Sequence, residues 1–179
     1  YQVADAPDPR EFDVLLATGE QVVIALLSMV LISKGCPAKS YTGGQVHIGT
    51  DEKHNKAKIV QVDCNNIQQD LDSGIVVVVA GFQGITADGT IQTLGRGGSD
   101  LSAIAMAASI KADLCQILTD VDGVYTADPR VVVDARRLAA LSYDEMLALA
   151  RAGAKVLAED AVAYARAHGV RLYARATDG

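Results

Sequence analysis

The run "IVVVVAGF" (residues 75–82) decides the architecture. Its β-branched residues follow one another without polar alternation, the pattern of a strand covered on both faces in a parallel sheet. Parallel strands need crossover connections, usually helical, and the flanking sequence supplies them. Upstream, "NNIQQDLDSG" (65–74) reads as a short helix with an Asn cap and Gly74 as its stop. Downstream, "IQTL" (91–94) reads as a strand end and "LSAIAMAASIKAD" (101–113) as a helix, with Ser99 or Asp100 as the expected cap. A further buried strand is expected at "LCQILTD" (114–120). "SYDE" (142–145) has the form of a capping box that opens a helix to about Ala152. A last helix is expected from about Ala154 to His168, with Gly169 as its stop, and "VRLYARA" (170–176) reads as the final strand.

Towards the N-terminus, residues 1–13 are polar, hold two of the four prolines and are expected to form a lead-in loop. Gly19 and Glu20 are expected to open an apolar helix that stops at Gly35 and Pro37. Its core, "VVIALLSMVLI" (22–32), reads as a buried helix too short to span a membrane. "AKSYTGGQVHI" (38–48) reads as strand, Gly43-Gly44 turn and strand, and "AKIVQVD" (57–63) as another strand. Strands alternating with helices over short turns define an α/β layered sheet, and no repeat or internal linker divides it. One domain over residues 1–179 is therefore expected.

The totals agree. The chain has 179 residues, half of them hydrophobic, which suits one sizeable core rather than a disordered segment. A net charge of −6 argues against a nucleic-acid partner. The cysteines Cys36, Cys64 and Cys115 lack metal-ligand spacing and read as reduced thiols of a cytoplasmic protein. No apolar run opens the chain, so no signal peptide is expected. The chain begins at Tyr1 without an initiating methionine, and a truncated or processed product is expected from that.

In open α/β sheets, ligands gather beyond the carboxyl ends of the strands. Four loops are expected there: "ATGEQ" (17–21), "GFQG" (81–84), "LGRGGSD" (94–100) and "TDVDGVYTADPR" (119–130). Glycines at 95, 97 and 98 would let backbone N–H groups approach an anion at a helix start, and Arg96 could grip a carboxylate or phosphate. The same residues also suit a plain glycine turn, and the spacing is neither a Walker loop nor the dinucleotide fingerprint. The 119–130 loop carries Asp120, Asp122, Tyr125, Asp128 and Arg130, enough to seat a nucleotide, though Asp-Gly and Asp-Pro pairs also build ordinary turns. Glu20 could meet an ammonium group or simply favour a helix start. Lys155, in "GAKVL" (153–157) near an expected helix start, is placed for a phosphate. His47, His54 and His168 share no metal or triad spacing and read as surface or structural residues.

Together "TGEQV" (18–22), "SYTGGQV" (40–46), "HNKAKI" (54–59), "VVAGFQG" (78–84), "TLGRGGSD" (93–100), "TDVDGVYTADPRVV" (119–132), "LSYDEMLALA" (141–150) and "GAKVL" make the chain resemble the aspartate kinases of the amino-acid kinase family. The resemblance implies a three-layer αβα sandwich with a mainly parallel sheet. It implies transfer of the ATP γ-phosphoryl group, with Mg²⁺, to the side-chain carboxylate of L-aspartate. By position, Glu20, Phe82, Arg96, Gly97, Gly98 and Ser99 would bind aspartate. Thr119, Asp120, Tyr125, Thr126, Ala127, Asp128, Pro129, Arg130, Lys155 and Val156 would line the ATP site, and Asp100 and Lys155 would be catalytic. No membrane or nucleic-acid partner is implied, and a homodimer or association with another chain is.

The chain also departs from the family. No N-terminal Lys-Phe/Tyr-Gly-Gly loop occurs, so the family's first strand is expected to be missing, and no regulatory ACT domains follow. Leu101 stands where threonine is usual, Asp160 where arginine is usual, and "RLYAR" (171–175), with Tyr173, replaces a more basic strand. Two readings stay open: an aspartate kinase catalytic domain, or a non-catalytic relative that keeps binding and serves as a regulatory subunit.

Overall fold

The structure is a computed structural model and describes residues 4–177; the first part of the expected lead-in, residues 1–3, lies outside the described residues. Its elements run α1 (Pro9–Ser33), β1 (Ala38–Tyr41), β2 (Ile48–Thr50), β3 (Ile59–Val62), α2 (Asn65–Asp72), β4 (Val76–Val79), β5 (Gln83–Ile85), β6 (Ile91–Thr93), α3 (Gly98–Ser109), β7 (Cys115–Thr119), α4 (Tyr143–Arg151), α5 (Glu159–His168) and β8 (Leu172–Ala176).

Strand β4 organises the layers. It runs parallel to β1, with Val78 opposite Ser40. Val77 and Val79 face a cluster of Tyr41, Val46, Ile48, Cys64 and Ile67, which Ile59 and Val62 of β3, Leu71 of α2, Met106 of α3 and Ile110 at its end complete. The alternate side chains, Val78 and Ala80, face Ile24 and Leu31 of α1. Helices therefore cover both faces of the strand, as the valine run predicts, and the arrangement is αβα. A second parallel pair, β7 with β8, lies over the largest cluster, built on Ile104, Ile117, Met146, Leu147, Leu157 and Val162 of α3, α4, α5 and their links. A four-stranded sheet in the order β3-β2-β5-β6 completes the strands, with β2 and β5 parallel and both outer pairs antiparallel. Among the described residues, β4 bonds only to β1, and β7 only to β8.

Several helix expectations need correction. Helix α1 begins at Pro9, not near Gly19, because Asp8 caps it by accepting from Arg10 N at 3.0 Å and proline fits the first helical position. Glu20 is therefore inside a 25-residue helix rather than at its start. Nor is this helix buried: Val22, Val23, Leu26, Leu27, Met29, Val30 and Ile32 are exposed on its outer side. By length and composition alone it could cross a membrane; polar groups on its inner side tie it to the sheet instead. Helix α2 is capped by Cys64 rather than an asparagine, and Asp63 Oδ1 accepts from Asn65 N at 3.0 Å. Helix α3 is capped by Gly97, with φ of 75° and no side-chain bond, rather than by Ser99 or Asp100. Helix α5 starts at Glu159, so Lys155 sits in the preceding loop, after Gly153 turns the chain with φ of 102°. The Ser142–Glu145 capping box is present. Gly74 and Gly169 also stop their helices, with φ of 74° and 67°.

Candidate active site

Two of the four expected loops, 81–84 and 94–100, meet through close approaches, and the 17–21 stretch, which lies inside α1, reaches them through hydrogen bonds. A Cβ added to Gly98 would lie 2.7 Å from Leu94 Cβ and 3.0 Å from Phe82 Cδ2. One added to Gly81 would lie 2.9 Å from Ser102 Oγ and 3.5 Å from Ser99 Cα. The "GFQG" turn and the start of α3 thus press on each other where only hydrogen fits. Phe82 itself has φ of 65°, a conformation that a bulky residue holds only under constraint, and the constraint is visible. Its N–H donates to Ser102 Oγ at 3.1 Å, while the Ser102 hydroxyl donates to Ser99 O at 2.9 Å.

Helix α1 enters from one side. Gln83, almost fully buried, donates from Nε2 to Ala17 O at 3.0 Å and accepts from Gln21 Nε2 at 3.2 Å. That contact sets half-buried Glu20 beside the turn. From the other side comes the 153–158 loop: a Cβ on Gly97 would lie 2.5 Å from Ala158 Cβ. Val156 packs on the main core, and Lys155 projects from the same loop, near enough to Asp128 to favour its ionised form. Contacts thus run from Gln21 to Gln83, from Gly98 to Phe82 and from Gly97 to Ala158, with Glu20 next to Gln21 in the chain and Lys155 three residues before Ala158.

The 119–130 loop is partly self-satisfied. Arg130 holds Asp128 in a two-pronged pair, Nε to Oδ1 and Nη2 to Oδ2 both at 3.0 Å. This pair is the main cause that pulls the Asp128 carboxyl below its ordinary range and raises Arg130 above its own. Tyr125 donates to Asp122 at 2.9 Å, which pushes its phenol upward, and pairs across a β-bridge with Arg137. The Thr126 hydroxyl accepts from Arg136 N at 3.0 Å. Asp120 accepts from Thr119 Oγ1 at 3.0 Å, and Ala127 and Pro129 continue the loop.

The free charges matter most. Among the described residues, Glu20, Arg96, Asp100, Asp120 and Lys155 form no ion pair within 4.0 Å. Arg96 is exposed on the glycine loop beside Gly97, and Ser99 is exposed one residue beyond Gly98. Asp100 is half-buried in the first turn of α3, and burial pushes its carboxyl upward. Burial also raises the Cys115 thiol, with the nearby Asp100 charge adding to it. No group of three or more His, Cys, Asp or Glu among the described residues could cage a metal ion. The three departures from the family pattern fall at sites the fold accommodates. Leu101 packs on the main core, Asp160 is exposed in the first turn of α5 where a carboxylate is favourable, and Tyr173 lies on β8, 43% exposed.

Sequence reasoning missed Gln83, Ser102 and Asp13. Each is a polar residue inside an apolar stretch, a signal that could have found them.

An αβα sheet with a glycine loop opening a helix and unpaired charges at one loop edge has the form of a small-molecule phosphotransferase. The profile of the amino acid kinase family matches residues 2–174, and the chain belongs to that family. Within it the chain is similar to the aspartate kinase of Pseudomonas putida, 58% identical over 171 residues that cover 96% of this chain and 42% of that protein. It is 53% identical to aspartokinase 2 of Bacillus subtilis over 175 residues, covering 98% and 43% respectively. Among solved structures it superposes on E. coli aspartokinase III in complex with aspartate and ADP with a TM-score of 0.87 at 30% identity, covering 98% of this chain and 40% of that one. The Synechocystis aspartate kinase gives a TM-score of 0.84 at 47% identity, covering 99% and 29%. The chain thus spans less than half the length of these relatives.

Proposed function

We propose that residues 1–179 carry the catalytic fold of an aspartate kinase, which moves the γ-phosphoryl group of ATP to the side-chain carboxylate of L-aspartate and yields 4-phospho-L-aspartate. The observation that supports it best is the glycine loop, where Gly98 closes on Phe82 and Gly97 on Ala158. Arg96 stands in that loop and Glu20 and Lys155 on the two segments that pack there, none of the three in an ion pair within 4.0 Å among the described residues.

In this reading Glu20 takes the substrate ammonium and Arg96 its α-carboxylate, with Gly97, Gly98 and Ser99 lending N–H and hydroxyl groups and Phe82 closing the apolar side. The side-chain carboxylate is then left free to attack the γ-phosphorus as ADP departs. Such transfers depend on positioning and charge neutralisation rather than on a covalent partner from the protein. Lys155 would neutralise charge on the phosphates. Asp100 would balance the positive charge that Arg96 and Lys155 bring. Thr119, Tyr125, Thr126, Ala127, Pro129 and Val156 would line the nucleotide, with Asp128 and Arg130 bracing one another. Mg²⁺ is commonly held by one or two carboxylates together with substrate phosphates, and it would screen their charge. Asp120, whose carboxylate accepts only from Thr119 among the described residues, suits that part.

A non-catalytic, regulatory relative is the second reading. Asp160 favours it, since an exposed carboxylate five residues after Lys155 would meet phosphate charge with like charge. A hydroxylamine trap with chain, Mg-ATP and L-aspartate decides between them. Aspartyl hydroxamate should form with aspartate and not with glutamate; no product while ATP still binds would mean either a binding relative or an incomplete catalytic unit, and adding back an N-terminal segment would separate those two.

Lys155→Ala should weaken Mg-ATP roughly tenfold, about 1.4 kcal/mol, and leave L-aspartate affinity unchanged. Calorimetric titration of each ligand checks this, and unchanged nucleotide affinity would remove Lys155 from the site.

A further inference from the structure

Of the described charged side chains, only that of Asp13 is fully buried. A buried carboxylate is strongly unfavourable without partners, so its partners are informative. Oδ1 accepts from Thr93 N at 3.1 Å, from Thr93 Oγ1 at 2.6 Å and from Asn55 N at 3.0 Å. Oδ2 faces His54 Nδ1 at 2.6 Å and Asn55 N at 3.3 Å. One carboxylate on α1 thereby joins the 51–57 loop and the end of β6. Thr93 is itself fully buried, and Asn55 holds the left-handed φ of 63° that turns its N–H inward.

We propose that Asp13 is a positioning residue that sets the spacing between Glu20 and Arg96, and so makes the pocket select an α-amino dicarboxylic acid over a dicarboxylic acid without the ammonium. The proposal rests on the reading of Glu20 and Arg96 given above. Glu20 follows Asp13 by seven residues on one continuous helix, two turns or about 10 Å along the same face. Ala17, between them, is held to Gln83, so the helix can neither slide nor roll independently. Arg96 follows Thr93 by three residues. Leu94 N donates to Phe82 O at 3.0 Å, Ala57 N to Thr93 O at 2.9 Å, and a Cβ on Gly95 would lie 3.1 Å from Asn55 O. The Asp13 carboxylate thus holds the base of both arms. The ammonium and α-carboxylate of an amino acid hang from one carbon, so the arms must meet one fixed distance, and small displacements are costly.

The test compares L-aspartate with succinate, which lacks the ammonium, by calorimetry well below the unfolding temperature. The chain, Glu20→Gln, Asp13→Asn, Thr93→Val and Thr93→Ser are titrated with both, and with Mg-ATP. Preference for L-aspartate should fall about tenfold in Asp13→Asn and severalfold in Thr93→Val, which removes the hydroxyl but keeps the volume. Thr93→Ser should keep it, and Mg-ATP affinity should hold throughout. A merely structural role would weaken both dicarboxylates equally and leave their ratio intact, which overturns the proposal. Should Asp13→Asn fail to fold, the Thr93 pair decides by the same ratio. If Glu20→Gln abolishes the preference while Asp13→Asn and Thr93→Val retain it, positioning alone is wrong. If Glu20→Gln leaves the preference unchanged, or the unsubstituted chain shows none, the pocket reading fails and the positioning role falls with it.

Discussion

Arg96→Ala is expected to weaken L-aspartate binding on the order of 100-fold, about 3 kcal/mol, with Mg-ATP affinity nearly unchanged. Arg96 is exposed and has no internal ion pair within 4.0 Å among the described residues, so truncating it leaves no buried partner unsatisfied. The loss therefore reports a ligand contact rather than damage to the fold, and the melting temperature should stay close to that of the unsubstituted chain. Guanidinium grips a carboxylate with two parallel N–H groups, so Arg96→Lys should recover only part of the affinity. Paired calorimetric titrations of aspartate and nucleotide check all of this. Equal weakening of both ligands would place Arg96 on the phosphates instead.

The layered fold was legible because its decisive signals are local. Valines at 76–79 have few ways to be covered, and helices on both faces are the way taken. Ser142 and Glu145 need only each other to start α4. Other elements depend on tertiary contacts that no local pattern carries. Strand β5 is three residues long, shorter than any periodicity, and exists because Gln83–Ile85 pairs with β6. The apolar outer side of α1 imitates a buried helix, since composition does not reveal which side meets the sheet. Its true start was written in the sequence as Asp8-Pro9, a cap followed by a first-turn proline, but the apolar run further on drew the boundary inward.

The site divides similarly. Arg96, Gly97, Gly98 and Lys155 stand in loops whose composition exceeds what a connector needs, so they could be singled out. Asp13 and Gln83 tie α1 to its neighbours, Ser102 ties the Phe82 turn to the start of α3, and all three show themselves only once the chain is folded. Glu20 was singled out for a helix-start position that it does not occupy; its candidacy now rests on its place beside the Gln21–Gln83 bond. Arg130 loses some of its candidacy as a free phosphate ligand because Asp128 already occupies both sides of its fork.

Gly97→Ala is expected to lower stability by about 2–4 kcal/mol, a fall in melting temperature of roughly 6–12 °C for a chain of this size. Two causes act at one atom. At φ of 75° an L-side chain is strained, which costs about 1–2 kcal/mol. The new methyl would also lie 2.5 Å from Ala158 Cβ, a rigid group that cannot swing aside as the end of a long side chain could. Something must move, and the start of α3 or the 153–158 loop is what can. Either movement shifts the 153–158 segment that carries Lys155, so if Lys155 serves the phosphates as proposed, Mg-ATP affinity should fall as well as stability. Ala158→Gly separates the two causes. Paired with Gly97→Ala it removes the collision and leaves the backbone strain, so the double variant should recover part of the melting temperature and most of the Mg-ATP affinity. Recovery of neither would mean that Gly97 acts through its own backbone alone and that contact between the two loops does not set the position of Lys155.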